Sequence, residues 1–75
     1  MGATTGERIK RLRTAHGWSQ RQLAERLGCV QASVCHWEME RSMPSLHRLQ
    51  RIARLCDVPV AWLVGDSDDE VATDE

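Results

Sequence analysis

One stretch of this 75-residue chain decides its fold: residues 18–38, WSQRQLAERLGCVQASVCHWE. Ser19 and Gln22 have the spacing of a capping box, which starts a helix, and Gly28 is a typical helix stop. A second helix is predicted over 31–39. The apolar residues at helical spacing in the two segments are Leu23, Ala24, Leu27, Val34 and Trp37. The stretch therefore predicts two short helices joined by a turn that contains glycine.

Three further helices are predicted outside this stretch, because the remaining sequence is rich in Arg, Leu, Ala and Glu. The first covers 5–16 and starts with a capping box of Thr4 and Glu7. The fourth starts after the N-cap Ser45, and a short fifth helix ends at Gly65. Their expected core positions are Ile9, Leu12, Leu46, Leu49, Ile52, Ala53, Cys56, Trp62 and Leu63. The sequence thus predicts a compact all-α bundle of five helices.

The net charge of −1 hides an uneven distribution along the chain. Residues 1–65 contain all ten basic residues and five acidic ones, whereas residues 66–75 contain six acidic residues and no basic one. These counts give +5 and −6. A basic domain followed by an acidic segment is typical of proteins that interact with nucleic acid. We predict a folded domain over 1–65 and a disordered tail over 66–75. The tail either keeps the protein soluble or competes with phosphates for the basic face.

Several classes of protein are disfavoured by length and composition. A chain of this size forms one small domain without a large enclosed active site. No apolar run reaches the ~18 residues of a transmembrane helix, and three cysteines do not form a disulfide framework, so we expect a location in the cytoplasm. No catalytic triad, paired carboxylates or phosphate-binding glycine loop is present in the sequence. We predict no enzyme, no cofactor and no small-molecule ligand.

A metal site is also disfavoured. Cys29, Cys35 and His36 lie close together in the sequence, but no second pair of ligands accompanies them. Structural zinc needs four ligands at recurrent spacing.

Two short helices joined by such a turn are the elements of a helix-turn-helix. The stretch 18–38 is similar to the signature of the phage repressor and Cro family, the XRE class. Pro44-Ser45-Leu46 resembles the start of the family's fourth helix, and residues 55–65 resemble its closing helix. The resemblance covers nearly the whole predicted domain. It implies a lambda-repressor-like DNA-binding fold whose third helix lies in the major groove.

The resemblance also implies which residues contact DNA. The positions that match base-reading residues, all on the third helix, are Gln31, Ala32 and His36, and Ser33 beside them is expected to reach a base or a phosphate. A glutamine can pair with adenine, and an alanine methyl can pack on a thymine methyl. Gln20, Arg41 and Ser42 match phosphate-contacting positions, and Arg21 is expected as a further phosphate contact because it is next to Gln20. Arg13 and Glu38 match a structural ion pair between the first and third helices.

Two positions depart from the family pattern. Val30 stands where a Ser or Thr cap is usual, which weakens the start of the third helix. Glu40 stands where Gly or Asn is usual, which weakens the helix stop and places a negative charge near phosphates. The remaining arginines are expected on solvated faces; these are Arg8, Arg11, Arg26, Arg48, Arg51 and Arg54.

The function that these observations favour is transcriptional regulation in a bacterial or phage-infected cell. The protein would be a Cro- or C1-type repressor or a controller protein that binds a palindromic operator as a homodimer. Val60, Trp62 and Val64 on the fifth helix are the expected dimer interface. The alternative is a protein-interaction module of the antitoxin or anti-repressor type, with secondary DNA binding. Glu40 and the acidic segment favour this alternative.

Overall fold

A computed structural model describes residues 3–65 of the chain. This range contains five α-helices and no strand, which confirms the predicted all-α bundle. The helices are α1 (Thr5–Ala15), α2 (Gln20–Leu27), α3 (Gln31–Glu38), α4 (Leu46–Cys56) and α5 (Val60–Val64). None of these helices is both long enough and apolar enough to cross a membrane. The tail predicted over 66–75 lies outside the described residues.

Local hydrogen bonds define the helix starts that the sequence predicts. The Thr4 hydroxyl accepts the Glu7 N–H at 3.1 Å, and the Glu7 carboxylate accepts the Thr4 N–H at 3.0 Å. Ser19 and Gln22 form the same pair of bonds at the start of α2. By contrast, Val30 offers no side-chain hydrogen bond to the start of α3. Capping residues thus fix α1 and α2, whereas α3 depends on packing for its position.

Every helix contributes one face to the core. Its buried apolar residues are Ile9, Leu23, Ala24, Leu27, Val34, Trp37, Leu49, Ile52, Ala53, Cys56 and Leu63. Leu46 was expected in this set, and that expectation is wrong, because its side chain is 63% exposed. Leu46 has the correct spacing from Leu49 but occupies the first position of α4, where the neighbouring helices no longer cover that face.

Two arginines that were expected in solvent are built into the fold. Arg8 is only 2% exposed; its Nε donates to the Ala3 carbonyl at 3.0 Å, and its guanidinium lies 5.1 Å from the centre of the Trp62 ring. Arg48 is half-buried, and its Nη1 donates to the Leu27 carbonyl at 2.6 Å. An arginine can bury its aliphatic stem when carbonyls or an aromatic face receive its charged end.

The start of α1 lies directly against the end of α3. Gly6 is buried there, and a Cβ atom at this position would overlap the Trp37 carbonyl oxygen. Glu40 follows α3 with a φ of +63°, in the left-handed region that glycine favours. Its carboxylate accepts a hydrogen bond from the Thr4 hydroxyl at 2.5 Å. These contacts join two segments that are far apart in the sequence.

Candidate nucleic-acid interface

The start of α3 presents a polar face to solvent. Val34 and Trp37 are buried, so the helix has its apolar side in the core. Gln31, Ala32 and His36 are exposed on the rest of the helix. With 3.6 residues per turn, one face can present all three side chains. The three base-reading positions implied by the resemblance are thus accessible, and Ser33, the further expected base contact, is half-buried.

The end of α3 is held by an ion pair. Arg13 Nε donates to Glu38 Oε2 at 2.6 Å, and Arg13 Nη2 donates to Glu38 Oε1 at 3.0 Å. This is the bidentate geometry that an arginine and a carboxylate favour. The Arg13 and Glu38 side chains are 12% and 4% exposed. The hydrogen bonds that Arg13 donates to Glu38 raise the pKa of Arg13, against the opposing effect of burial.

Glu38 also fixes a residue at the start of α2. Gln20 Nε2 donates to Glu38 Oε1 at 3.0 Å, so one carboxylate receives hydrogen bonds from two helices. Arg13 Nη1 adds a bond of 2.8 Å to the Trp18 carbonyl, just before α2. The Gln20 side chain is therefore oriented by a contact within the protein. The sequence gives no local signal for this contact, because Gln20 and Glu38 are 18 residues apart.

Arg21 and the turn after α3 supply the other expected phosphate contacts. Arg21 is exposed, and its Nε lies 3.4 Å from the Glu25 carboxylate, which is also exposed. Arg41 and Ser42 are exposed and border an open depression of ≈ 320 Å³ between this turn and the start of α1. The Arg41 N–H donates to the His36 carbonyl at 2.9 Å, which ties the turn to the helix.

The Glu40 carboxylate beside this turn has a hydrogen-bond partner within the protein. It bonds to Thr4 at the N-terminus of α1, where the helix dipole favours a negative charge. The weak helix stop expected at this position is Glu40, a residue other than glycine in the left-handed conformation. This conformation costs roughly 1–2 kcal/mol. The contact with Thr4 offsets part of this cost.

The residues expected at a dimer interface differ in exposure. Val60 and Trp62 are half-buried and pack against the core, while Val64 is 36% exposed. Leu55 on α4 is another exposed apolar side chain, at 37%. Val64 is therefore the most accessible of the three expected residues.

The cysteines are all free. Cys56 is buried, and its burial raises the pKa of the thiol. Cys35 Sγ lies 3.5 Å from Met39 Sδ at the end of α3, and Cys29 packs against the core. Within residues 3–65, no three His, Cys, Asp or Glu side chains are grouped so that they could hold a metal ion.

The chain matches a family model described as helix-turn-helix over residues 9–63. It is 40% identical over 63 residues to YobD of Bacillus subtilis (strain 168), an uncharacterized HTH-type transcriptional regulator. This match covers 84% of the chain and 56% of YobD, so the chain spans little more than half the length of this relative.

Two solved structures resemble the fold. SinR, a master regulator for biofilm formation solved in complex with DNA, has a TM-score of 0.73 and 31% identity; the match covers 80% of the present chain and 97% of the solved SinR chain. The P22 c2 repressor, solved with a synthetic operator, has a TM-score of 0.80. The match covers 87% of the present chain and 98% of the solved repressor chain. Its identity of 20% shows a shared fold alone. The chain therefore belongs to the XRE-type helix-turn-helix family.

Proposed function

We propose that this chain is a sequence-specific transcriptional regulator of the Cro or C1 repressor type, or a controller protein, that places α3 in the major groove of operator DNA. The observation that carries the proposal is the division of α3 between an exposed polar start and an end fixed by Glu38. A helix that reads bases needs both features. Its exposed side chains must reach the base edges, and its fixed end must keep its position on the duplex. The proposed site of action is the nucleoid of a bacterial or phage-infected cell.

Base reading is assigned to the exposed side of α3. Gln31 can make a bidentate pair with adenine, and the Ala32 methyl can contact a thymine methyl. His36 lies one turn further along the same helix and can donate or accept at a base edge. Ser33 is half-buried and can reach a base or the adjacent phosphate with its hydroxyl.

Phosphate contacts are assigned to residues on both sides of this helix. Gln20, held by Glu38, stands at the start of α2, where the free N–H groups favour an anion. Arg41 and Ser42 contact the DNA backbone from the turn after α3. Arg21 adds a further contact, and its charge is already partly balanced by Glu25. These bonds position the reading helix without selecting the sequence.

A homodimer on a palindromic operator completes the proposal. One short helix touches few base pairs, so a symmetric pair with half-sites about one turn (~34 Å) apart would supply the missing specificity. Val64, together with the half-buried Val60 and Trp62, provides apolar surface on α5 for the contact between copies.

The experiment that tests this function is selection of bound duplexes from a random pool, followed by affinity measurements at increasing salt. The expected result is one enriched palindromic site. Affinity for that site should fall linearly with salt on a log–log plot, because phosphate contacts release counterions. A pool without enrichment, or an affinity that does not depend on salt, would contradict the proposal.

The second candidate is a protein-interaction module of the antitoxin or anti-repressor type. The Glu40 carboxylate beside the turn and the six acidic residues of segment 66–75 favour it, since both oppose phosphate binding. Binding to random duplex that equals binding to the selected site would support this candidate instead.

A further inference from the structure

A basic groove lies between the ends of α2 and α4. It has a volume of ≈ 260 Å³ and is lined by Arg26, Leu27, Arg51, Arg54 and Leu55. Three arginines thus line the groove, and Leu55, which is 37% exposed, adds an accessible apolar side chain. No carboxylate belongs to the lining. The groove has the chemistry to receive an acidic segment that also carries an apolar side chain.

The groove is separate from the proposed DNA contacts. Gln20 is the first residue of α2, whereas Arg26 lies six residues later, about 9 Å along the helix axis. The turn with Arg41 and Ser42 precedes α4, whereas Arg54 lies in the last turn of α4. The proposed function therefore leaves these arginines without a role.

The charges of the groove are not balanced inside the described domain. Glu25, the neighbour of Arg26 in the sequence, lies 3.4 Å from Arg21 instead. The Arg26 guanidinium lies 4.4 Å from the centre of the Trp18 ring, and no ion pair within residues 3–65 includes Arg26. Among residues 3–65, no ion pair includes Arg51 or Arg54.

We propose that the acidic segment 66–75 of the same chain docks in this groove. The segment follows Gly65 directly and carries a charge of −6. Ten extended residues can span roughly 33–36 Å, more than the 22 Å of the two shorter dimensions of the molecule. Val71, between Glu70 and Asp74, offers an apolar side chain to Leu55. This inference does not depend on DNA binding.

The groove is a better site for this segment than the proposed DNA-binding face. On that face, Arg21 lies near Glu25, and Glu40 places a carboxylate next to Arg41. The groove instead concentrates three arginines without a lining carboxylate. Docking there neutralises the segment while the start of α3 stays accessible.

The test compares the 75-residue chain with a variant of equal length in which all six acidic residues of segment 66–75 are replaced by their amides. In NMR spectra of arginine Nε–Hε groups, the signals of Arg26, Arg51 and Arg54 should shift between the two proteins, and that of Arg11 should not. The differences should vanish at 1 M salt, where charges are screened beyond ~3 Å. At low salt the amide variant should also melt about 2–5 °C lower.

Matched double variants locate the effect. With Arg51→Gln and Arg54→Gln, removal of the acidic charges should lower the melting temperature by less than half as much. With Lys10→Gln and Arg11→Gln, two exposed charges of α1, the full effect should remain. An equal response in both backgrounds would mean that general attraction, and not the groove, binds the segment.

Two other outcomes would overturn the proposal. Signal shifts that grow with protein concentration would show that the segment binds a neighbouring molecule. A loss of DNA affinity with Arg51→Gln and Arg54→Gln that exceeds the loss in the α1 control would assign the groove to phosphate.

Discussion

The two ends of α3 differ although only eight residues separate the caps. At its start, Val30 provides no capping bond, and Gln31 and Ala32 are exposed. At its end, Trp37 is 5% exposed and the Glu38 side chain 4%, and Glu38 accepts three hydrogen bonds from Arg13 and Gln20. The stability of this helix is therefore concentrated at the end that does not read DNA in the proposed function.

This difference separates two kinds of substitution. A change at the exposed start removes few contacts within the protein, so it can alter a base preference without unfolding the domain. A change at the buried end leaves a charged or polar group without its partner, which is costly in a small core. The comparison can be tested residue by residue.

The largest effect is expected for Glu38→Ala. It leaves the Arg13 guanidinium, 12% exposed, without its carboxylate, and should lower the free energy of unfolding by ~3–5 kcal/mol. Urea denaturation measures this loss. Glu25→Ala is the matched control, because it breaks an exposed pair and should cost only ~0.3–0.5 kcal/mol. Equal losses in the two variants would show that the end of α3 is not specially anchored.

The next effect is expected for Gly6→Ala, which tests the contact of α1 with the same end of α3. Alanine favours helices more than glycine does, so propensity alone predicts a gain in stability. The added Cβ would overlap the Trp37 carbonyl oxygen, and the net result should be a loss of about 1–3 kcal/mol. Thermal denaturation decides the sign. A higher melting temperature would mean that the two helices can separate at little cost.

At the start of α3, Gln31→Ala should weaken operator binding by ~1–3 kcal/mol and relax the preference at one base pair. The free energy of unfolding should change by less than ~0.5 kcal/mol, because Gln31 is exposed. Arg41→Ala is the companion variant and should weaken all duplexes alike, as expected of a phosphate contact. Binding assays on operator and random duplexes separate the two. An unchanged preference would remove Gln31 from the reading set.

The smallest effect is expected for Val30→Ser, which supplies the missing cap. Serine can accept a backbone N–H of the first turn, so the free energy of unfolding should rise by about 0.5–1 kcal/mol. Val30 is 66% exposed, so little burial is lost. Calorimetric melting provides the measurement, with Val30→Ala as the control that cannot cap. A gain equal to that of the alanine control would show that packing alone sets the start of α3.

Features that depend on neighbours in the sequence could be predicted. The capping pairs Thr4–Glu7 and Ser19–Gln22 are three residues apart, and both are present in the structure. Gly65 ends α5 in the left-handed conformation that glycine favours. The apolar spacing also indicated the buried faces, except where α4 extends past its neighbours at Leu46.

Features that depend on distant contacts could not be predicted. The burial of Arg8 depends on Trp62, and the half-buried position of Arg48 depends on the end of α2. The orientation of Gln20 depends on Glu38. The sequence did contain one signal for a distant contact, at Gly6. A glycine inside a helix is unfavourable unless another backbone comes close. The DNA contacts stay predictions.

The hydrogen bond between Thr4 and Glu40 has a consequence for local unfolding. A helix start normally frays independently, but here the capping residue of α1 is bonded to the turn after α3. Opening one segment breaks the bond that supports the other. The backbone amides of Glu7 and Arg41, 34 positions apart in the sequence, should therefore exchange with solvent deuterium as one cooperative unit.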